Sequence, residues 1–98
     1  MVERISKNEE RLDKTLISIK KLEIALNEFK NNQKNILLLS KYYGSKNWFK
    51  DKEAYENNKI PKIKAGVLSE DTVWNMLEDI DKIILDMKTI IKNHFKNK

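Results

Sequence analysis

A chain of 98 residues has room for one core and one domain, and two domains are excluded. With 40 % hydrophobic and 36 % charged residues, two glycines and one proline, the composition favours long helices over strands or disorder. No cysteine is present, so disulfides and thiolate metal sites are excluded, which fits a reducing cytosol. The net charge of +5 invites a nucleic-acid partner, yet Arg4 and Arg11 are the only arginines, and base readout leans on the arginine fork.

The opening MVERISKNEE holds no continuous apolar segment of the signal-peptide kind. No stretch approaches the roughly 20 apolar residues of a membrane span. A soluble, cytoplasmic chain without a membrane partner is the expectation.

From Ile5 the residues Ile5, Leu12, Ile19 and Leu26 recur every seven, interleaved with Leu22, Phe29 and Ile36. That spacing predicts one apolar seam on a helix over about 3 to 43; Ser6 and Glu9 are placed as a capping box, although Ile5 already sits on the seam and points to an earlier start. Propensity is low around Asn31 to Asn35, where a bend or restart is expected, and Gly44 is the natural stop. Ile17 and Ile24 lie about 140° from the seam, so a single partner helix cannot bury both sets.

Residues Ser45 to Leu68 are too many for a structureless connection. Ser45 is an N-cap candidate for a short helix over about 46 to 57, in which Trp48, Phe49 and Lys52 or Tyr55 fall at helical spacing. Ile60-Pro61 then turns extended, and KIPKIKAG is predicted to be a loop in which Gly66 takes a left-handed conformation.

The last helix is predicted over about 69 to 95. Val73, Leu77, Ile80, Ile84, Met87, Ile91 and His94 alternate by four and three, with Met76, Ile83 and Ile90 widening the face. Ser69 is the N-cap, Glu70 and Asp71 occupy the first turn, and Leu68 and Val73 stand where a hydrophobic staple needs them. Acidic residues come early in this helix and lysines late, an order that complements the macrodipole.

The expected architecture is therefore all-α: an antiparallel pair of long helices with the short helix and loop between them, residues 1 to 98 forming one domain. Two helices cannot enclose a core, so Tyr42, Tyr43, Trp48, Phe49 and Trp74 are expected to plug its open end.

The stretch YYGSKNW at Tyr42 to Trp48, then Asp51, Glu53, Ile60-Pro61 and GVLSED at Gly66 to Asp71, resembles a small bacterial and phage family catalogued only as a domain of unknown function. The resemblance spans essentially the whole chain. It implies a helical fold and assigns no activity. The chain departs from the family pattern at Tyr55, where an acid is usual, and at Lys34-Asn35, where the family has a proline.

Catalytic chemistry has few candidates. His94 is the only histidine, and on the seam near a helix end it reads as a packing residue or a terminal cation. Asp51, Glu53, Glu56, Glu70 and Asp71 could ligate a divalent cation, but the loop pattern of a calcium site is missing, so solvated acids are the better reading. No enzyme, metal or cofactor is expected.

Binding remains. Ile17, Ile24, Tyr42, Tyr43, Trp48, Lys59, Lys62 and Lys64 are the candidate partner-contacting residues, while Gly44, Ser45, Phe49, Pro61, Gly66, Leu68, Ser69, Val73 and Trp74 are assigned structural roles. The expectation is a non-enzymatic protein-interaction module acting by stoichiometric binding, with a homodimer as one form. The family resemblance suggests a phage-associated inhibitor of a host defence or CRISPR complex. The alternative is RNA or single-stranded DNA binding through the lysines, with the aromatics stacking on bases.

Overall fold

Residues Met1–Lys98 are all described by a computed structural model. Four α-helices follow in order: α1 (Val2–Asn31), α2 (Gln33–Tyr42), α3 (Lys46–Glu56) and α4 (Glu70–Lys96), with a 3₁₀ turn at Gly66–Leu68 before the last. No strand forms, and the all-helical class holds. No helix is long and apolar enough to cross a membrane. The chain divides into two compact units, Met1–Ile36 and Leu37–Lys98.

The first unit is essentially α1. The helix starts earlier than a Ser6 cap would place it: Met1 is the N-cap without a side-chain bond, and Ile5 N–H already donates to Met1 O at 3.1 Å. Ser6 and Glu9 therefore lie inside the helix, where their amides are already in the ladder and a capping box has nothing to cap. At the far end the expected restart falls at Asn32, whose φ/ψ of −91/−2 and N–H shared between Glu28 O and Phe29 O are those of a tightened last turn. Asn35 Nδ2 donates to Asn32 Oδ1 at 2.8 Å, so the asparagines satisfy each other where they weaken the helix.

The second unit holds the core. Tyr43 N–H closes α2 on Leu39 O, and Gly44 at φ 77 turns the chain into α3. Ser45, at φ/ψ −72/168, caps α3 by accepting from Trp48 N–H at 3.2 Å. Asn58, at φ 58, takes the left-handed conformation that ends α3. Gly66 does not: its φ is not positive, and it opens the 3₁₀ turn instead of a left-handed loop. The reason lies one step on, because the turn is fixed by Leu68 and Ser69 N–H groups donating to Ala65 O and Gly66 O.

Ser69 Oγ accepts from Thr72 N–H at 3.4 Å and caps α4, with Glu70 and Asp71 in the first turn. Leu68 and Val73, the two staple positions, are both buried. Together with Trp48 they are the whole buried core.

Candidate protein-interaction site

Trp48 organises the second unit. It sits three residues into the short helix that Ser45 caps, is 2 % exposed, and donates Nε1–H to Val67 O at 2.9 Å. The cap sets the helix start, and the start decides that residue 48 faces the 3₁₀ turn. Tyr43 and Phe49 meet its ring edge-on, with centroids at 5.2 and 5.0 Å. Lys52 places its ammonium 5.1 Å from the Trp48 centroid and 3.3 Å from Glu70 Oε1, tying α3 to the first turn of α4. Tyr43 O–H donates to Glu70 O at 3.2 Å and closes the same junction from the turn after α2.

Tyr42 O–H donates to Asp51 Oδ2 at 2.6 Å. That bond, then burial, then the repulsion of the Asp51 charge, raise the phenol from its ordinary value of 10.0 to about 12. Tyr55 O–H reaches Ile63 O at 3.4 Å, and Lys62 lies over its ring at 4.9 Å from the centroid. The aromatic middle segment is thus a structural junction, and its polar atoms are committed to the backbone and to Asp51.

The expected five-ring plug is corrected in two members. Phe49 touches Trp48 with one edge but is 59 % exposed, and Trp74 is 55 % exposed on α4. Only one face of α3 points inward at Trp48, and the residue after it is carried outward by the 100° helical step. Trp74 follows Val73 and suffers the same rotation.

The predicted partner-contacting residues fall into three groups. Ile17 and Ile24 are exposed, as is every residue from Met1 to Glu28, seam positions included. Lys59, Lys62 and Lys64 are exposed along the connection after α3. Tyr42 and Tyr43 are half-buried and Trp48 fully so, which withdraws its ring from any partner. Pro61 is exposed in the irregular stretch before the 3₁₀ turn. The acidic candidates do not gather: no three of the His, Asp and Glu side chains come together, Asp51 is held by Tyr42, and Glu70 by Lys52. His94 is exposed with its ring edge-on to Phe95, centroids 5.2 Å apart.

Two features were not foreseen from the sequence. A cleft of about 460 Å³ lies among Leu39, Gly66, Val67, Val73 and Met76, with Lys64 and Thr72 as its polar members. Its parts come from three separate segments, so no local pattern announces it. The other is the uneven cover of α4: Val73 is 3 % exposed and Leu77 and Ile80 are half-buried, whereas further on only Met87 is half-buried and Ile83, Ile84 and Ile90 are 47 %, 47 % and 68 % exposed. The seam reads uniformly in the sequence, but the core covers only its first turns.

Fold and surface together define the class: an all-helical chain with a small tryptophan-centred core and long helix faces of exposed apolar residues. The chain belongs to the family described as a domain of unknown function (DUF4298), which it matches over residues 5–90. No curated protein and no solved structure matches it.

Proposed function

We propose that this chain is a non-enzymatic helical protein-interaction module that acts by stoichiometric binding, its contact surfaces being the exposed apolar faces of the long helices. The observation that carries the reading is α1. Ile5, Leu12, Leu16, Ile17, Ile19, Leu22, Ile24 and Leu26 are all exposed on one helix. A helix draws most of its stability from packing of an apolar face, and contiguous apolar surface of this extent marks a contact region. Ile17 and Ile24 supply a second stripe, so a partner or partners engaging two sides of α1 fit it better than one flat contact.

Antiparallel packing of α1 on α4 within the chain is the competing use of the same seams. Chemical crosslinking followed by peptide mapping separates the two, since intrachain packing yields α1 to α4 links in the monomer. For the binding reading, the test is capture of an interacting protein by wild type against Ile17→Asp and Ile24→Asp variants. Loss of a defined-stoichiometry complex with an unchanged helical circular dichroism spectrum supports it. Variants that match wild type in every complex overturn it.

The nucleic-acid alternative has the exposed Lys59, Lys62 and Lys64 in its favour. Of its named stacking residues Trp48 is buried and Tyr42 and Tyr43 are half-buried with engaged hydroxyls, which leaves Phe49 and Trp74 as exposed rings it would have to use. Salt-sensitive retardation of RNA or single-stranded DNA would support it.

A further inference from the structure

We propose that the exposed half of α4 is a self-association surface, on which a second copy of this chain lays its own α4 antiparallel about a two-fold axis. The face is there to be covered. Beyond the core-anchored Val73, the seam passes from half-buried Leu77 and Ile80 to exposed Ile84, Ile91 and His94, with Met87 half-buried between them, and its flanking Ile83 and Ile90 are 47 % and 68 % exposed.

The flanks decide the occupant. One flank of the seam is Trp74, Asp81, Lys88 and Phe95, recurring every seven residues, and the other is Met76, Ile83 and Ile90. In an antiparallel two-fold pair, like flanks face one another, and each contact occurs twice. Seating Ile84 against Met87 of the second copy sets Ile80 against its Ile91 and Leu77 against its His94. The same register brings Asp81 beside Lys88 of the second copy and Trp74 beside its Phe95, while Ile83 meets its Ile90 on the other flank. Opposite charges meet opposite, and the two exposed aromatics of α4, Trp74 and Phe95, cover each other. A parallel pair would instead set Asp81 against Met76 and Lys88 against Ile83, burying unpaired charge on apolar side chains.

Extent and polarity agree with this. The second helix would end beside Val73, where the chain's own core takes over. Ten partly exposed apolar side chains per copy give a total buried area of roughly 1,200 to 1,500 Å², the size of a stable interface. Acidic residues early in α4 and lysines late make the antiparallel order the one in which charge complements.

Sedimentation equilibrium at micromolar concentration tests this directly and is expected to give a dimer. Asp81→Lys and Lys88→Asp are each expected to weaken dimerisation about tenfold, because each sets two pairs of like charges across the axis. The double variant carrying both changes restores opposite charges and is expected to return to within about threefold of wild type. Both side chains are exposed, so the fold is unaffected and circular dichroism serves as the control. Ile84→Asp is expected to give a monomer. A wild-type monomer, or a double variant no tighter than the singles, overturns the proposal. A wild-type monomer that Ile84→Asp destabilises does so as well, and assigns the cover to a segment of the same chain. The inference shares with the interaction reading only the use of exposed apolar faces. A dimer lost in Ile84→Asp but kept in Ile17→Asp and Ile24→Asp leaves the α1 question to its own experiment.

Discussion

The Trp48 junction and the distal half of α4 are made from the same kinds of residue, and they meet opposite fates. Around Trp48, rings from the end of α2, the turn after it and α3 gather beside the 3₁₀ turn, and each polar handle finds a partner: Nε1 on Val67 O, the Tyr43 hydroxyl on Glu70 O, the Tyr42 hydroxyl on Asp51. Along distal α4, Ile83, Ile84, Ile90 and Ile91 offer comparable apolar area and remain exposed. Apolar content alone does not make a core. Several short segments must converge, and here a capped helix, a left-handed glycine and a 3₁₀ turn supply the convergence at one end of α4 only.

The contrast breaks most sharply at Trp48. Trp48→Ala removes the largest buried side chain and is expected to cost about 3 to 5 kcal/mol, enough to unfold a unit with so small a core; urea denaturation followed by circular dichroism measures it. Trp74→Ala, on the exposed side, is expected to change the stability of the monomeric fold by under about 0.5 kcal/mol. Equal losses at the two tryptophans would erase the distinction between the regions.

Next in size is the phenol at the margin of the junction. Tyr42→Phe deletes the bond to Asp51 and is expected to cost about 1 kcal/mol at neutral pH. Because the folded value near 12 lies above the ordinary 10.0, the neutral phenol stabilises the fold fully below pH 10, and that contribution is lost as pH rises from 10 towards 12. Wild type is therefore expected to lose stability faster than Tyr42→Phe over that interval in thermal melts.

The smallest effects distinguish the two glycines. Gly44 stands at φ 77, and Gly44→Ala is expected to cost about 1 kcal/mol although nothing lies within 4 Å of an added Cβ. Gly66 has neither a positive φ nor a neighbour within 4 Å. Gly66→Ala is expected to be neutral or slightly stabilising, because it restricts the unfolded chain without straining the folded one.

Much of this architecture was legible along the chain. The caps at Ser45 and Ser69, the stop at Gly44, the restart near Asn32 and the family resemblance all rest on local signals, in which a few neighbouring residues compete for the same backbone bonds. The cleft beside Val73, the exposure of Phe49 and Trp74 and the conformation of Gly66 were not legible, since each depends on where a distant segment arrives.

Helix identity and helix ends are decided within about four residues, because the hydrogen bonds that make them span that distance. The sequence by itself therefore determined an all-helical chain, its breaks and the apolar stripe on each long helix. Which stretch of a stripe is covered depends on segments far apart in the chain meeting in space, and only the tertiary structure decided that Trp48, Leu68 and Val73 would close a core while Ile83, Ile84, Ile90 and Ile91 of α4 stayed exposed.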